Sequence, residues 1–421
     1  MAPNKGARIL FLTLYPDTAA SPRYRVAQFI PYLESRGFRC TVAAPLTSEE
    51  YAALTGPNRT RRPFFYHFAE TRRRIAQLLG ARRYDIVFVQ KALMTAYIKG
   101  LPALLRARAR RLVYDIDDAV HLAPPHPLRG LWRVFEDPGQ VRRLFRQADL
   151  VLAGNAWLQS VAAKHAARAE LFPTVVDTDR FIPPNEPPKT YRVGWIGSPS
   201  TTPHLSEAAP ALEKLTDAEI RLVGADPTHV AFGKNRDRPK GAPEARDGTV
   251  SKILGSERLS PAGGGEPAAA DLGVDSCISL STGEPHGSCF AVPRFFAYQC
   301  IEAIPWSLDT EVAEIQGFSV GIMPLPATEW NRGKCALKAL QYMACRVPCV
   351  ASPFGAIRGI IKHNENGLLA DSHAAWEQAF ERLRDPKLRR QLGEQGRATI
   401  ESRFSLKGAA PRMVELLESL L

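Results

Sequence analysis

The stretch "DTDRFIPPNEPPKTYRVGWIG", residues 177–197, decides how this chain is organised. Pro183, Pro184, Pro187 and Pro188 lack backbone donors, so neither a helix nor a central strand can run through residues 177–190. At its end "YRVGWIG" (191–197) opens a new apolar, β-rich run. Short apolar strands alternate with helical patterns on both sides of the interruption. The Pro-rich segment therefore reads as a linker between two units of one kind. A length of 421 residues agrees, since it exceeds one ordinary domain.

Upstream, "RILFLTLY" (8–15) reads as a strand. "PRYRVAQFIPYLESRG" (22–37) reads as one helix ending at Gly37, with Val26, Phe29, Ile30 and Leu33 on one face. "RCTVAAP", "YDIVFVQ", "RLVYDID", "ADLVLAG" and "AELFPT" follow as strands, with helical stretches between most of them. Near-continuous apolar strands separated by helices indicate a parallel sheet covered on both faces.

Downstream of the linker, the pattern restarts with "YRVGWIG", a helix near 201–215 and "EIRLVGA" (219–225). Residues 226–300 then show neither helical nor strand period and are rich in Gly, Pro, Ala and charge. Such composition cannot bury enough apolar surface to order itself, so a disordered insertion is expected there. Order resumes with "IEAIPW" (301–306), the strand "SVGIMPLP" (319–326), the helix "KCALKALQYMA" (334–344) and the strand "VPCVAS" (347–352). "HNENGLLA" (363–370) makes a turn and strand before a helical C-terminus.

The expected fold class is α/β, with two doubly wound Rossmann-like domains facing across a cleft. The expected division is an N-terminal domain at 1–176, the linker at 177–190 and a C-terminal domain at 191–402 interrupted at 226–300. A C-terminal helix at 403–421 is expected to pack back on the N-terminal domain.

Charge is uneven. Residues 1–175 carry 27 Lys and Arg against 13 Asp and Glu, and the remainder carries 28 against 30. The formal net charge of +12 thus sits in the first half. Either an anionic partner is expected there, or the charge is a solvated, Arg-rich surface. No basic strip interleaved with aromatics is present, which argues against nucleic acid. The seven cysteines form no C-x-x-C pair, and "MAPNKGARILFLTLYPD" turns polar after one short run. A cytoplasmic, reducing location is expected, with any membrane contact peripheral.

Ligands of doubly wound sheets bind outside the carboxyl ends of the strands, so the residues after each strand are the candidates. After the first strand, Ser21 is placed to cap a helix with Pro22 at its first position. Arg23 and Arg25 follow, either gripping an anion or lying on the surface. After "RLVYDID", the segment "YDIDDAVH" brings Asp115, Asp117, Asp118 and His121 together. Crowded carboxylates repel unless used or solvated, so they can supply a base or orient a hydroxyl, with Asp118 as a plain cap the alternative.

"GWIGSPSTTPHL" (194–205) sets Gly197 and Ser198 in a loop of small residues and hydroxyls before a helix. Such a loop suits close approach of backbone to a phosphate, or simply caps the helix. It contains no GxGxxG and no Walker A pattern. In "RGKCALKALQYMACRVPCVASPFG" (332–355), Lys334 and Lys338 stand one turn apart at an expected helix start, with Gln341 on the same polar face. The helix dipole disfavours cations at that end, so an anionic ligand is one reason to place them there and a solvated face another.

The chain resembles glycosyltransferase family 4, retaining enzymes of the GT-B fold. The resemblance rests on "SPRYRVAQFIPYLESRGF", "YDIDDAVH", "AGNAWLQSVA", "PTVVDTDRF", "VGWIGSPSTTPHL", "GIMPLPATEWNRGKCALKALQYMACRVPCVASPFG" and "HNENGLLA", in family order. It implies a nucleotide-sugar donor held mainly by the C-terminal domain, an acceptor held mainly by the N-terminal domain, and transfer with retention. It implies donor contacts at Gly197, Ser198, Lys334, Lys338 and Gln341, and places Asp117, Asp118 and His121 beside the reacting sugar. It implies no cofactor and no metal. Asp115-x-Asp117 also matches the metal-binding DxD of another glycosyltransferase fold, a pattern too short to carry weight.

Two departures stand out. Where many relatives carry a pair of glutamates, this chain has Gly333 and Gln341. The Arg and Lys usual after the first strand of the second domain give way to "SPSTTPHL". Lys334 and Lys338 are expected to supply that charge. The expected function is transfer of a hexose-type sugar to a glycan or lipid-linked acceptor in cell-surface polysaccharide synthesis, at the inner face of an anionic membrane. The alternatives are an impaired homologue that only binds, because of the insertion, and a sugar-nucleotide epimerase of the same fold.

Overall fold

The computed structural model describes residues 6–55, 64–125, 128, 130–226, 277–278, 290–291 and 300–421. The expected insertion at 226–300 lies outside the described residues, except for Asp226, Cys300 and a two-stranded antiparallel ladder. That ladder pairs β9 (Cys277–Ile278) with β10 (Phe290–Ala291).

The first sheet contains β1 (Arg8–Leu12), β2 (Arg39–Ala43), β3 (Ile86–Gln90), β4 (Arg111–Ile116), β5 (Leu150–Ala153) and β6 (Ala169–Leu171). Its order is β2-β1-β3-β4-β5-β6, and every pairing is parallel. The second sheet contains β7 (Arg192–Ile196), β8 (Glu219–Val223), β11 (Cys300–Ile304), β12 (Val320–Met323), β13 (Cys349–Ala351) and β14 (Leu368–Leu369). Its order is β11-β8-β7-β12-β13-β14, again all parallel. Each sheet has one reversal of strand order, β1/β3 in the first and β7/β12 in the second. These crevices are where doubly wound sheets take ligands.

Both faces of each sheet are buried, which explains the unbroken apolar runs. On one face of the first sheet, Leu10, Leu12, Val87 and Val89 pack with Leu105 and Phe145. On the other, Ile9, Phe11 and Phe88 pack with Phe29, Met413, Val414 and Leu417. The last three belong to the C-terminal helix Leu406–Glu418, which closes over the N-terminal sheet. The chain crosses back beside the linker. Val176 N donates to Phe404 O (3.0 Å) and Leu406 N to Val176 O (2.9 Å). Arg397 fastens the crossing by donating to Thr178 O (2.9 Å) and Ala344 O (2.6 Å).

Three helical expectations are corrected. The helix expected over 22–37 is broken into Ala20–Arg25, a 3-10 turn Ala27–Phe29 and Ile30–Ser35. Val26 leaves helical geometry (φ −131°, ψ −66°), and Pro31 has no N–H to bond back. Ser21 lies inside the first turn rather than at the cap, which is Ala19. The helix expected near 201–215 is a 3-10 segment, Pro199–Glu207, followed by the turn Ala209–Leu212. The helix expected from Lys334 starts only at Leu337, after Ala336 in left-handed geometry (φ +59°). Lys334 is therefore in the preceding loop, not on one helical face with Lys338.

Candidate functional site

The two crevices face each other, and loops from both sheets meet between them. The C-terminal loop 332–336 lies against the N-terminal loops that follow β4 and β5. Gly333 is required there, because a Cβ would come 2.6 Å from Ala119 N. Gly154 is required for the same reason, since a Cβ would come 2.4 Å from Cys335 Sγ. Cys335 Sγ also donates to Asp117 O (3.2 Å). Asn155 closes the joint. Its Oδ1 caps the helix Ala156–Ala163 by accepting from Leu158 N (2.8 Å). Its Nδ2 reaches the carbonyls of Arg332 (3.2 Å), Gly333 (3.0 Å) and Lys334 (3.2 Å).

Charge in the cleft is arranged around Asp118. Its Oδ2 accepts from Lys91 Nζ (3.1 Å) and lies 3.5 Å from Lys334 Nζ, so one carboxylate bridges the two domains. Burial opposes its ionisation, but Lys334 and Lys91 outweigh it and hold the carboxyl down at about 2. A carboxylate held that low is a weak base at neutral pH, so Asp118 organises cations. Lys91 is held above the usual lysine value, burial being outweighed by Asp118 and Asp117.

Lys338 differs. Its Nζ is 5.3 Å from the centre of the Trp195 ring, and among the described residues no carboxylate pairs with it. Burial, then repulsion from Lys334, brings its pKa down to about 7. His204, on the 3-10 segment opposite, falls to about 4 through burial and then Lys338 and Lys334. Gly197 lets this cluster close, since a Cβ would sit 2.4 Å from the Trp195 ring and 2.8 Å from Lys338 Cε. Ser198 caps the 3-10 segment in a reciprocal box with Thr201. The result is a pocket at the carboxyl ends of β7 and β12 in which Lys338 has no carboxylate partner among the described residues.

Across the cleft, Asp117 accepts from Ser21 Oγ and, at 3.5 Å, from Gln90 Nε2. Gln90 Nε2 also donates to Ser21 Oγ (2.7 Å). His121 packs on Trp157 (ring centres 5.2 Å apart), and its buried Nδ1 has no hydrogen-bond partner among the described residues. Burial lowers its pKa, with Glu329 opposing. A neutral imidazole can donate to or accept from a sugar or acceptor hydroxyl through its other ring nitrogen.

Two expected contacts are corrected. Arg25 is buried and forms a bidentate ion pair with Asp115, with its remaining donors on Phe172 O (2.8 Å) and Thr174 Oγ1 (3.5 Å). Burial pushes Asp115 up to about 6 against the Arg25 charge, so it is still ionised at neutral pH. This pair joins the helix Ala20–Arg25 to β4, and Arg25 has no surface to offer a substrate. Gln341 is buried as well. Its Nε2 donates to Tyr24 Oη (2.9 Å) and Glu311 Oε1 (3.0 Å). Glu311 gathers Arg180 (3.0 Å), Arg23 (3.5 Å) and Trp306 Nε1 (3.3 Å) around it. The Arg23 Nε is buried and has no hydrogen-bond partner among the described residues.

Lys91, Asn155, His204 and Glu311 were not among the expected residues. Lys91 and Asn155 directly follow strands, and inspecting every strand end would have found both. His204 and Glu311 carry no local signal. A separate groove of about 610 Å³ lies at the amino ends of β4 and β5, lined by Arg106, Arg111, Arg146 and Asp149. Arg106 and Arg111 lie 3.6 and 3.8 Å from Asp149, so the groove neutralises part of its own charge, away from the crevices.

Residues 301–385 match the family described as Glycosyl transferases group 1. N-acetyl-alpha-D-glucosaminyl L-malate synthase of Bacillus anthracis is 35% identical over 71 residues, 16% of this chain and 19% of that protein. Sucrose-phosphate synthase from Thermosynechococcus elongatus superposes with a TM-score of 0.64 at 16% identity, over 98% of this chain and 99% of that one. The Anabaena protein HepE, solved with UDP-glucose, gives 0.59 at 14% identity, over 98% and 99%. With two six-stranded parallel sheets, this likeness identifies the fold as GT-B, two Rossmann-like units. The family match and the named relative support a glycosyltransferase.

Proposed function

We propose that this chain transfers a sugar from a nucleotide-sugar donor to a glycan or lipid-linked acceptor. The observation that carries the reading is the unneutralised Lys338, beside Gly197, Ser198 and His204 at the carboxyl end of β7. A diphosphate supplies the missing negative charge, and the loop of small residues lets it approach the backbone. UDP-glucose bound to HepE supports this donor class.

In this reading the bond from the anomeric carbon to the β-phosphate oxygen breaks, a bond from that carbon to an acceptor oxygen forms, and the acceptor's hydroxyl proton leaves with the diphosphate. Lys338 stabilises the charge that develops on the leaving diphosphate. His121 and Asp117 lie on the opposite wall and orient the sugar and acceptor hydroxyls. Asp118 holds Lys334 and Lys91 across the cleft and so sets the spacing of the two walls. Family 4 resemblance adds retention of configuration, a hexose-type donor, no cofactor and no metal. The acceptor enters from the N-terminal side, at the inner face of an anionic membrane, in cell-surface polysaccharide synthesis.

One observation favours a second reading, a protein that binds nucleotide sugar without transferring it. Gln341 is closed inside the Glu311 cluster rather than facing the donor. Thermal denaturation against nucleoside diphosphates and nucleotide sugars tests the first step, since binding to the folded state raises the midpoint. Release of nucleoside diphosphate that depends on an added acceptor tests transfer. A shift without release supports the binding reading, and no shift with any nucleotide removes both.

A further inference from the structure

In the segment after the cleft loop, the 3-10 helix Gly130–Phe135 presents four large apolar side chains to solvent. Leu131 is 93% exposed, and Trp132, Val134 and Phe135 are each more than half exposed. Four such residues within one short turn are not the scattered exposure that any surface shows. Trp132 and Phe135 stand 6.0 Å apart between ring centres, so the aromatics form one patch.

The turn is built into the domain. Lys99 N donates to Phe135 O (2.9 Å), and Lys99 Nζ donates to Val134 O (2.6 Å). Ile98 and Glu136 form a bridge, and Asp137 N donates to Tyr97 O (2.6 Å). Tyr97 in turn donates its hydroxyl to Val120 O (2.5 Å), inside the loop that carries Asp118 and His121. The patch and the acceptor wall of the cleft are thus tied through one tyrosine.

Charge around the patch has one sign on the outside. Both acidic residues that follow it, Glu136 and Asp137, are buried. Arg133 and Arg142 are exposed, the latter on the helix Gln140–Gln147, while Arg143 on that helix is held by Asp137 and Arg146 at its far end lines the groove at the amino ends of β4 and β5. An apolar, Trp-bearing tip that carries Arg133, with Arg142 on the helix that follows, matches an anionic bilayer, where the rings enter the headgroup boundary and the guanidiniums meet phosphates.

We propose that Leu131, Trp132, Val134 and Phe135, with Arg133 and Arg142, form the surface by which this protein docks on an anionic lipid membrane. This deepens the membrane-face element of the functional reading, yet its geometry stands without any nucleotide. Docking at this turn would bring the His121 wall toward the bilayer, where a lipid-linked acceptor resides.

Flotation of the full chain with vesicles of phosphatidylcholine alone, or with a third phosphatidylglycerol, tests it. Binding only to the anionic vesicles, weakened by salt, is expected. Replacing Leu131, Trp132, Val134 and Phe135 together by Ser should lower partitioning by at least about tenfold. Because more than half of each side chain is exposed, the Ser variant should still unfold in one cooperative thermal transition. Arg133→Glu with Arg142→Glu should lower partitioning similarly, with the apolar residues intact. The proposal is overturned if the wild type ignores anionic vesicles, or if the Ser variant binds them as the wild type does. It is also overturned if sedimentation shows a wild-type dimer that the Ser variant dissolves, which would make the patch a contact between copies. A nucleotide-dependent midpoint shift, measured alongside, is expected in every variant, so loss of docking and loss of the donor reading are separable.

Discussion

Lys338 carries its ammonium 5.3 Å from the centre of the Trp195 ring, with no carboxylate beside it among the described residues. Its neighbour Lys334, by contrast, is already engaged with Asp118 across the cleft. Of the two lysines, only one is left for a ligand. Lys338→Ala should therefore weaken nucleotide-sugar binding by about 1.5–3 kcal/mol, the range of a hydrogen bond to a charged group. Lys334→Ala should cost less affinity and more stability. Titration calorimetry on both variants checks the ranking, and equal losses in affinity would assign the diphosphate to both lysines.

The pH response follows from the same residue. The folded-state pKa of Lys338, about 7, lies below its ordinary value of 10.5. Between those limits the unfolded chain binds more protons, so the burial penalty is full below pH 7 and is relieved as pH rises toward 10.5. Lys338→Met should stabilise the apo protein most at low pH, with the gap closing upward. Affinity for a nucleotide sugar runs the other way. The anion selects protonated Lys338, so binding should weaken as pH rises through about 7, by up to tenfold per unit. Lys338→Arg should flatten that slope, since guanidinium stays charged. A slope that persists in the Arg variant would locate the proton elsewhere.

Asn155 has two functions that substitution can separate. Asn155→Ala removes both the cap on Leu158 N and the three contacts to residues 332–334. Asn155→Asp keeps the cap but turns an acceptor toward three carbonyls. If the domain joint matters, Asp should be at least as destabilising as Ala, whose cap loss alone is about 1 kcal/mol. Chemical denaturation of both variants decides it, and a near-wild-type Asp variant would leave the cap as the whole effect.

Gly333→Ala places a Cβ 2.6 Å from Ala119 N, which is backbone and cannot swing aside. The loop must lift from the N-terminal domain, so a loss of about 1–3 kcal/mol is expected. Lys334 should be drawn away from Asp118 with it. The second readout is the midpoint shift with nucleotide sugar, which should shrink. Gly359→Ala, in the helix Ile357–Ile360 with nothing within 4 Å, is the control and should neither destabilise the protein nor shrink that shift.

Asp118→Asn removes the carboxylate between Lys91 and Lys334 and leaves Lys91 only the more distant Asp117. The stabilisation from Asp118 is present above its ordinary carboxylate value of 3.8 and is lost as pH falls through about 2. At neutral pH the variant should be less stable by about 1–3 kcal/mol, and it should approach the wild type in acid. Adding Lys91→Met should restore part of the loss. A midpoint unchanged by Asp118→Asn at neutral pH would mean the bridge is solvated and contributes little.

The sequence by itself determined the two α/β halves, the Pro-rich join and the strand positions. Those properties are local: an apolar run, a proline and a glycine act on their own neighbours. It also drew attention to the polar loops at Asp117–His121, Gly197–Ser198 and Lys334–Lys338, because the doubly wound rule directs attention to strand ends. Only the tertiary structure decided what each charge does. Arg23 and Arg25 share one short helix, yet the second is buried on Asp115 while the first lies in the cleft. Lys334 and Lys338 sit in one motif, yet only the packing of loop 332–336 on Ala119 and Gly154 gives the first a partner and leaves the second without one. Charge pairing depends on distances between residues far apart in the chain, and those distances exist only once both sheets have closed around the cleft.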